Sequence, residues 1–348
     1  MFSPEDFELS DFDSRLALLG WDPYFEEKFK SVAEPSAVPA RIIADFAAEY
    51  VIHDGAIARR STARRVDPVV GDWVAVNGDV IDAIVDRRTV FSRKSAGVET
   101  REQVLAANVD VALVVAAATD VNARRIERYL VIAWQSGAAP VVVLTKADIA
   151  NAPDSMRIEI ESVAAGTPVI VTSAVTGEGI DEVTTMLQPA RTGVLLGPSG
   201  AGKSTLINAI LGSEVMKTRE IHRSGEGRHM TSHRQLVQLP GGGMIIDTPG
   251  LREAQLWEGE DALGGVFEDI EALALQCRFY DCSHVTEPGC AIKAALADGT
   301  LDRRRFDSYR KLQRELRAVA AKTDARIRNE DRKRWKLIAK ANRSGVRP

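Results

Sequence analysis

Thr145-Lys146-Ala147-Asp148 comes first, then Thr172-Ser173-Ala174, and only then Gly197-Pro198-Ser199-Gly200-Ala201-Gly202-Lys203-Ser204-Thr205. Asp247-Thr248-Pro249-Gly250 follows all three. The long segment matches G-x-x-x-x-G-K-[ST], a phosphate-binding loop. It stands between an apolar strand and a helix, the context such a loop needs. Its glycines let backbone N–H groups wrap phosphates. Lys203 brings a point charge to the β- and γ-oxygens, and Ser204 a hydroxyl to Mg²⁺. The helix start adds partial positive charge. Every residue from Gly197 to Thr205 is a candidate nucleotide contact; a chance glycine loop explains this context poorly.

The two earlier segments read as base recognition. The Asp148 carboxylate can accept hydrogen bonds from the N1–H and N2 amine of guanine. Adenine lacks that donor pair, and an unpaired carboxylate discriminates on the order of 10⁴-fold or more. Lys146 would lie over the base, with Thr145 and Ala147 completing the segment, and Ser173-Ala174 would offer a backbone N–H to guanine O6. A lone T-K-x-D could simply start a helix; its pairing with Thr172–Ala174 at a strand end makes it specific. Asp247 would sit near Mg²⁺ and the Gly250 N–H near the γ-phosphate. D-x-x-G is common by chance, so its weight comes from its place after the phosphate loop. In an ordinary GTPase the phosphate loop comes first. Here the set is complete but cyclically shifted.

Around these motifs the pattern is α/β. Val109–Ala117 is a continuous apolar strand of the kind buried on both faces of a parallel sheet. Helix is expected over Arg124–Gln135, Ile158–Ala165, Ile180–Leu187 and Lys203–Leu211. Strand is expected over Ala139–Leu144, Pro168–Val171, Gly193–Leu196 and Met244–Ile246. Such alternation makes a doubly wound sheet. Gly212–Ser232 is polar and aperiodic, a candidate switch loop. Within it, Thr218 or Thr231 could reach Mg²⁺ and the γ-phosphate.

Upstream, residues 1–40 form an acidic lead-in with a short amphipathic helix near Tyr24–Phe29. Short β segments then follow: Tyr50-Val51-Ile52, Gly55-Ala56-Ile57-Ala58, Trp73–Val76 and Ile81–Val85. Turn signals separate them, as expected for a small closed barrel such as an OB-fold. Arg59, Arg60, Arg64, Arg65, Arg87, Arg88, Arg93 and Lys94 lie along it. They make either a nucleic-acid surface or a solvated basic edge.

Downstream, the chain's three cysteines fall within residues 277–290. Cys277, Cys282, His284 and Cys290 offer three thiolates and an imidazole. That is a full tetrahedral zinc set with no open position, hence structural. The region around it has few apolar helical faces, and a metal would supply the missing order. Residues 301–348 carry a net +11 against −15 for the rest of the 348-residue chain. A basic tail on an acidic body suits a polyanionic partner; the bland alternative is a solvated helix. No apolar run reaches membrane-spanning length and the start is acidic, so a cytoplasmic protein without membrane contact is expected.

Together these features resemble the bacterial family of ribosome small-subunit-dependent GTPase A. The resemblance runs from Gly20-Trp21-Asp22-Pro23 to the basic tail. It rests on Thr145–Asp148, Gly197–Thr205, Gly227-x-His229-x-Thr231, Asp247–Gly250 with Leu251-Arg252-Glu253, and the Cys277 to Cys290 cluster. It implies one structural zinc, Mg²⁺ with GTP, and a GTP-to-GDP hydrolase stimulated by the small (30S) ribosomal subunit. It also implies a role in late maturation of that subunit, with rRNA gripped by the barrel and the C-terminal region. The family's switch segment reads G-x-H-T-T. Met230 stands here at the first Thr, which favours Thr231 as the Mg²⁺ contact. Leu251 stands where Ras-like enzymes carry the water-orienting Gln. His229 becomes the candidate for that role, with Lys203 and Thr231 as the other catalytic candidates; a histidine that only packs or touches RNA is the alternative. The expected order is an extension (1–40), an OB-like barrel (41–103), a circularly permuted P-loop GTPase domain (104–266) and a helical zinc-binding domain with a basic helix (267–348), in a monomer. A kinase-like nucleotide enzyme is disfavoured by Thr145–Asp148. An RNA-binding assembly chaperone with vestigial hydrolysis is disfavoured by the intact Lys203, Ser204 and Asp247.

Overall fold

The computed structural model describes residues 15–46, 49–94, 102–164, 166–212, 234–247, 263 and 266–323. Five strands close the N-terminal barrel: β1 (Val38–Asp45), β2 (Tyr50–His53), β3 (Ala58–Ala63), β4 (Trp73–Asn77) and β5 (Val80–Ile84). They run β1-β2-β3-β5-β4, and β4 returns to pair with β1. Only β3 and β5 are parallel. This is the OB-like closed barrel the sequence pointed to. One expected segment moves. Gly55–Ile57 is a turn, because the Asp54 carboxylate accepts from the Ala56 and Ile57 N–H groups, and strand begins only at Ala58. Helix α1 (Pro23–Val32) starts where Asp22 Oδ1 accepts the Tyr24 N–H at 3.0 Å. It covers the barrel with Trp21 and Phe25 packed on the buried Trp73. Strands β6 (Val90–Lys94) and β7 (Glu102–Ala107) make a separate antiparallel pair.

The α/β unit contains β8 (Val111–Ala117), α2 (Ala123–Ser136), β9 (Ala139–Thr145), α3 (Pro153–Val163), β10 (Val169–Val171), α4 (Ile180–Met186), β11 (Thr192–Leu196), α5 (Lys203–Leu211), β12 (Arg234–Gln238) and β13 (Met244–Asp247). Helix α3 begins earlier than the apolar pattern indicated, because Pro153 occupies its first turn, where a missing N–H is harmless. The sheet order is β10-β9-β8-β11-β13-β12, parallel except for β12. Along β8, Ala112, Val114 and Ala116 belong to one apolar cluster and Val111, Leu113 and Val115 to another. Period-two alternation with both faces buried is why the strand reads as a continuous apolar run.

The C-terminal unit has α6 (Glu268–Ala274), α7 (Ala291–Asp298) and α8 (Arg303–Thr323). It is less short of core than its sequence suggests. Phe267, Ile270, Ile292, Phe306, Tyr309, Leu312 and Leu316 are buried in the same cluster as Ile126, Leu130 and Ile160 of the α/β unit. Its apolar residues are few because the α/β unit supplies the other half of the packing surface.

Candidate nucleotide and metal sites

In a parallel sheet, ligands gather at the carboxyl ends of the strands. Thr145 ends β9, Ser173 lies just beyond β10, Gly197 follows β11, and Asp247 ends β13. Sheet order therefore brings together motifs that are far apart in sequence.

Side-chain contacts lace them into one unit. Thr145, buried, donates its hydroxyl to the Ala201 carbonyl at 2.6 Å, and Lys146 Nζ donates to the Gly200 carbonyl at 2.9 Å. The Thr145–Asp148 segment thus holds the Gly197–Thr205 loop from behind. Ser173 Oγ donates to Asp148 Oδ1 at 2.7 Å and accepts the Val175 and Thr176 N–H groups. That bond orients the Asp148 carboxylate while the residue stays exposed to solvent. Ala147 is buried and donates its N–H to the Thr172 carbonyl, which registers the two loops against each other.

The phosphate loop needs its glycines sterically. A Cβ at Gly197 would stand 2.2 Å from the Val115 carbonyl oxygen, and one at Gly202 would stand 3.0 Å from the Thr145 hydroxyl. The loop therefore lies directly against β8 and β9. Lys203 Nζ donates to the Gly197 and Pro198 carbonyls at 2.7 and 2.6 Å, so its charge is held over the loop's own concavity. Ser204 and Thr205 follow in the first turn of α5, whose unpaired N–H groups face the loop. Pro198 and Ser199 complete the cradle. His229, Thr231 and Gly250 lie outside the described residues.

A cavity of about 200 Å³ lies beside the loop, lined by Thr119, Asp120, Asn122, Arg125, Tyr129 and Lys146 as well as by Pro198–Ala201. Asp148 and Ser173 do not line it. The β8–α2 residues Thr119, Asp120, Asn122 and Arg125 carry no motif. The signal that could have found them is position alone, at the carboxyl end of a buried parallel strand.

The second site is the cysteine cluster. One ligand atom from each of Cys277, Cys282, His284 and Cys290 falls within 4.8 Å of all the others. Cys277 Sγ is 3.9 Å from Cys290 Sγ and 3.6 Å from His284 Nδ1, and Cys290 Sγ is 3.5 Å from the same nitrogen. Zn–S bonds of about 2.3 Å at tetrahedral angles give edges of about 3.8 Å. The donor set and spacing therefore fit a four-coordinate ion through Nδ1. Local structure explains the fit. Cys290 caps α7, and its sulfur accepts the Lys293 N–H. His284 has φ +60°, a left-handed turn braced by Glu287. The Glu287 carboxylate accepts the Ser283 hydroxyl and the N–H groups of Ser283, Val285 and Thr286. The Ser283 hydroxyl first, and then the N–H groups of Glu287 itself, Ser283 and Val285, pull it down to about 2. Burial, and then the Arg310 charge, hold the His284 imidazole below the ordinary histidine range, in the neutral form a metal requires.

The barrel's basic residues are mostly engaged. Arg87 forms a two-pronged pair with buried Asp72, and Arg88 pairs with Asp22 and stacks on Tyr24 and Phe25. Arg59 pairs with Asp54 and Arg60 with Glu49. Arg64 and Arg65 stand exposed between β3 and β4. Most of the basic run therefore serves the barrel's own structure, with a narrower cationic spot left over. No described helix is long and apolar enough to cross a membrane.

Comparison with known proteins follows the same lines. A family profile described as RsgA GTPase matches residues 84–257. The small ribosomal subunit biogenesis GTPase RsgA of Streptomyces avermitilis is 47% identical over 337 residues, covering 91% of this chain and 90% of its own length. Among solved structures, YjeQ from Thermotoga maritima superposes with a TM-score of 0.61 at 26% identity, covering 80% of this chain and 98% of its own. YloQ, described as a circularly permuted GTPase, gives a TM-score of 0.59 at 23% identity, covering 81% and 96%; that likeness speaks to the fold alone.

Proposed function

Because the chain belongs to the RsgA GTPase family and is a GTPase, we propose that it hydrolyses GTP to GDP during late maturation of the small ribosomal subunit, and that this subunit stimulates its turnover. The observation that carries the nucleotide assignment is the Asp148–Ser173 pair, seated on a segment that also holds the phosphate loop. A carboxylate oriented by a hydroxyl and open to solvent is what guanine's two donors need. Residues Thr145–Asp148, Ser173, Ala174, Gly197–Thr205, Asp247 and Gly250 form the GTP site in this reading. Ser204, Thr231 and Asp247 hold Mg²⁺. His229 positions the attacking water, since Leu251 cannot. Lys203 and Mg²⁺ bring positive charge to the phosphates where negative charge develops in the transition state.

The four ligands Cys277, Cys282, His284 and Cys290 hold one structural zinc in this reading, with no position left for a substrate. The barrel, through its exposed Arg64 and Arg65, and the C-terminal unit with its basic helix grip rRNA. Nucleotide state then controls docking, because switch segments ordered by the γ-phosphate relax after hydrolysis. The working units are 41–103, 104–266 and 267–348 behind the 1–40 extension, in a cytoplasmic monomer.

Single-turnover and steady-state GTP hydrolysis, with and without purified small subunits, tests the reading. Turnover is expected to rise at least tenfold with subunits. His229→Ala is expected to lose most of that rise while GTP affinity stays within about twofold, as for a contact made mainly in the transition state. Equal turnover with and without subunits would remove the ribosomal reading. An unchanged stimulated rate in the variant would remove only His229.

A further inference from the structure

The cysteine loop carries an aromatic side chain that the metal site does not use. Tyr280 lies between Cys277 and Cys282 and is 102% exposed, more than any other large apolar or aromatic side chain among the described residues. An aromatic ring left wholly in water gains nothing from folding, so a protein-internal reason for it is missing. The loop beneath is braced by backbone hydrogen bonds. Its flanking cysteines belong to the ligand cluster, the Arg278 N–H donates to the Gly289 carbonyl, and the Cys282 N–H donates to the Phe279 carbonyl. The ring is therefore presented on a fixed knuckle.

Its surroundings are cationic. The Arg278 guanidinium lies 5.5 Å from the centre of the Phe279 ring, itself 41% exposed. Arg310 of α8 donates to the Ser283 carbonyl at 2.6 Å, which fixes α8 against the same loop. Arg314 and Arg317 follow Arg310 at helical spacing, so a row of positive charge leads away from the knuckle. The nearest acids weigh little against it. Glu287 is consumed by the loop's own hydrogen bonds, and Asp281 is a single exposed carboxylate. An exposed ring beside a line of arginines matches single-stranded nucleic acid, where aromatic faces stack unpaired bases and cations track the backbone.

We propose that Tyr280 stacks on an unpaired base of small-subunit rRNA, with the adjoining phosphates running along Arg278, Arg310 and Arg314. This rests on the ribosomal reading above and adds a defined contact to it. The contact is to the π-face, so it tolerates any base and does not need the phenol oxygen.

The test uses full-length, metal-loaded protein. Affinity for purified small subunits is measured in the presence of a non-hydrolysable GTP analogue for the wild type, Tyr280→Ala and Tyr280→Phe. Metal content and subunit-independent GTP turnover serve as checks that the fold is intact. Tyr280→Ala is expected to bind about five- to a hundredfold more weakly, and Tyr280→Phe within about twofold of wild type. A photo-crosslinking residue at position 280 is expected to mark rRNA. Equal binding by Tyr280→Ala overturns the proposal. So does a loss in Tyr280→Phe as large as in Tyr280→Ala, or a crosslink confined to a ribosomal protein. If the wild type itself does not bind subunits, the ribosomal reading falls; if only the variant comparison fails, the reading stands without this contact.

Discussion

The α/β unit meets its two neighbours in different ways. Toward the barrel the connection is main chain. Strand β1 pairs antiparallel with β12, Ala44 opposite Gln235 and Asp45 opposite Arg234, so barrel and GTPase sheet form one eleven-stranded sheet. Arg41, 1% exposed, pins the same seam by donating to the carbonyls of Leu19 and Asn108 and to the Thr192 hydroxyl. Its burial pulls the guanidinium down to about 10, still charged at neutral pH, with Asp110 and Asp72 supporting the charge. Toward the C-terminal unit the polar connection is side chain, centred on one residue. Arg305, 7% exposed, donates to both carboxylate oxygens of Asp269, to the carbonyls of Val163 and Val266, and to Glu127, and it lies over the Phe267 ring. Ser308 adds a bond to the other Glu127 oxygen, and Arg128 pairs with Glu315.

The strand pairing of the first seam is made by peptide groups and does not itself depend on any one side chain. A seam built around one guanidinium concentrates its dependence there, because removing it strands a buried charge. Burial pushes Glu127 up, only partly countered by Ser308 and Arg305. Burial also acts to raise Asp269, but the hydrogen bond and charge of Arg305 outweigh it and hold that carboxyl below the usual range. Helix α2 sits at the centre of this second seam. Arg125, Ile126 and Tyr129 line the cavity beside the phosphate loop, while Glu127 and Arg128 face α8.

The largest expected break is at the metal. About one equivalent of zinc is expected to co-purify with the wild type, and Cys282→Ala is expected to lose it together with the order of residues 277–290. Metal analysis with hydrogen exchange checks this. The barrel–GTPase seam should keep its protection, and its loss would show that the two seams are not independent. Next comes Arg305→Ala, expected to cost about 3–5 kcal/mol because buried Glu127 loses its guanidinium partner and keeps only the Ser308 hydroxyl as a hydrogen-bond donor. Chemical denaturation measures it. Adding Glu127→Gln should recover part of the loss, and strict additivity of the two changes would count against the pair. The smallest effect belongs to the first seam. Asp45 and Arg234 are 3.7 Å apart and partly exposed, so Asp45→Ala is expected to cost less than about 1 kcal/mol. A loss above about 2 kcal/mol would mean that the strand pairing leans on this ion pair after all.

Much of the candidate site was legible because its chemistry is local. Nine consecutive residues from Gly197 match a phosphate-loop pattern, four from Thr145 match a guanine-reading pattern, and four residues within fourteen positions offer a set of ligands that could hold a metal ion. What stayed hidden were elements whose partners are remote. Strand β12 buries only Leu236, so it shows no apolar alternation; it exists through main-chain pairing with the distant β1 and with β13. The cavity residues Thr119 and Asp120 gain meaning only from the strand end they occupy. The barrel's arginines looked like one basic run until Asp72, Asp22, Asp54 and Glu49 were found beside them.

By itself the sequence determined the cyclic order of the nucleotide motifs, the barrel before them and the cysteine cluster after them, since short-range spacing and periodicity are properties of the covalent chain. Tertiary structure alone decided that Thr145 and Lys146 hold the phosphate loop, that barrel and GTPase share one sheet, and that Arg305 locks the C-terminal unit. Those contacts join residues 54 to 191 positions apart, and only folding sets the distance between them.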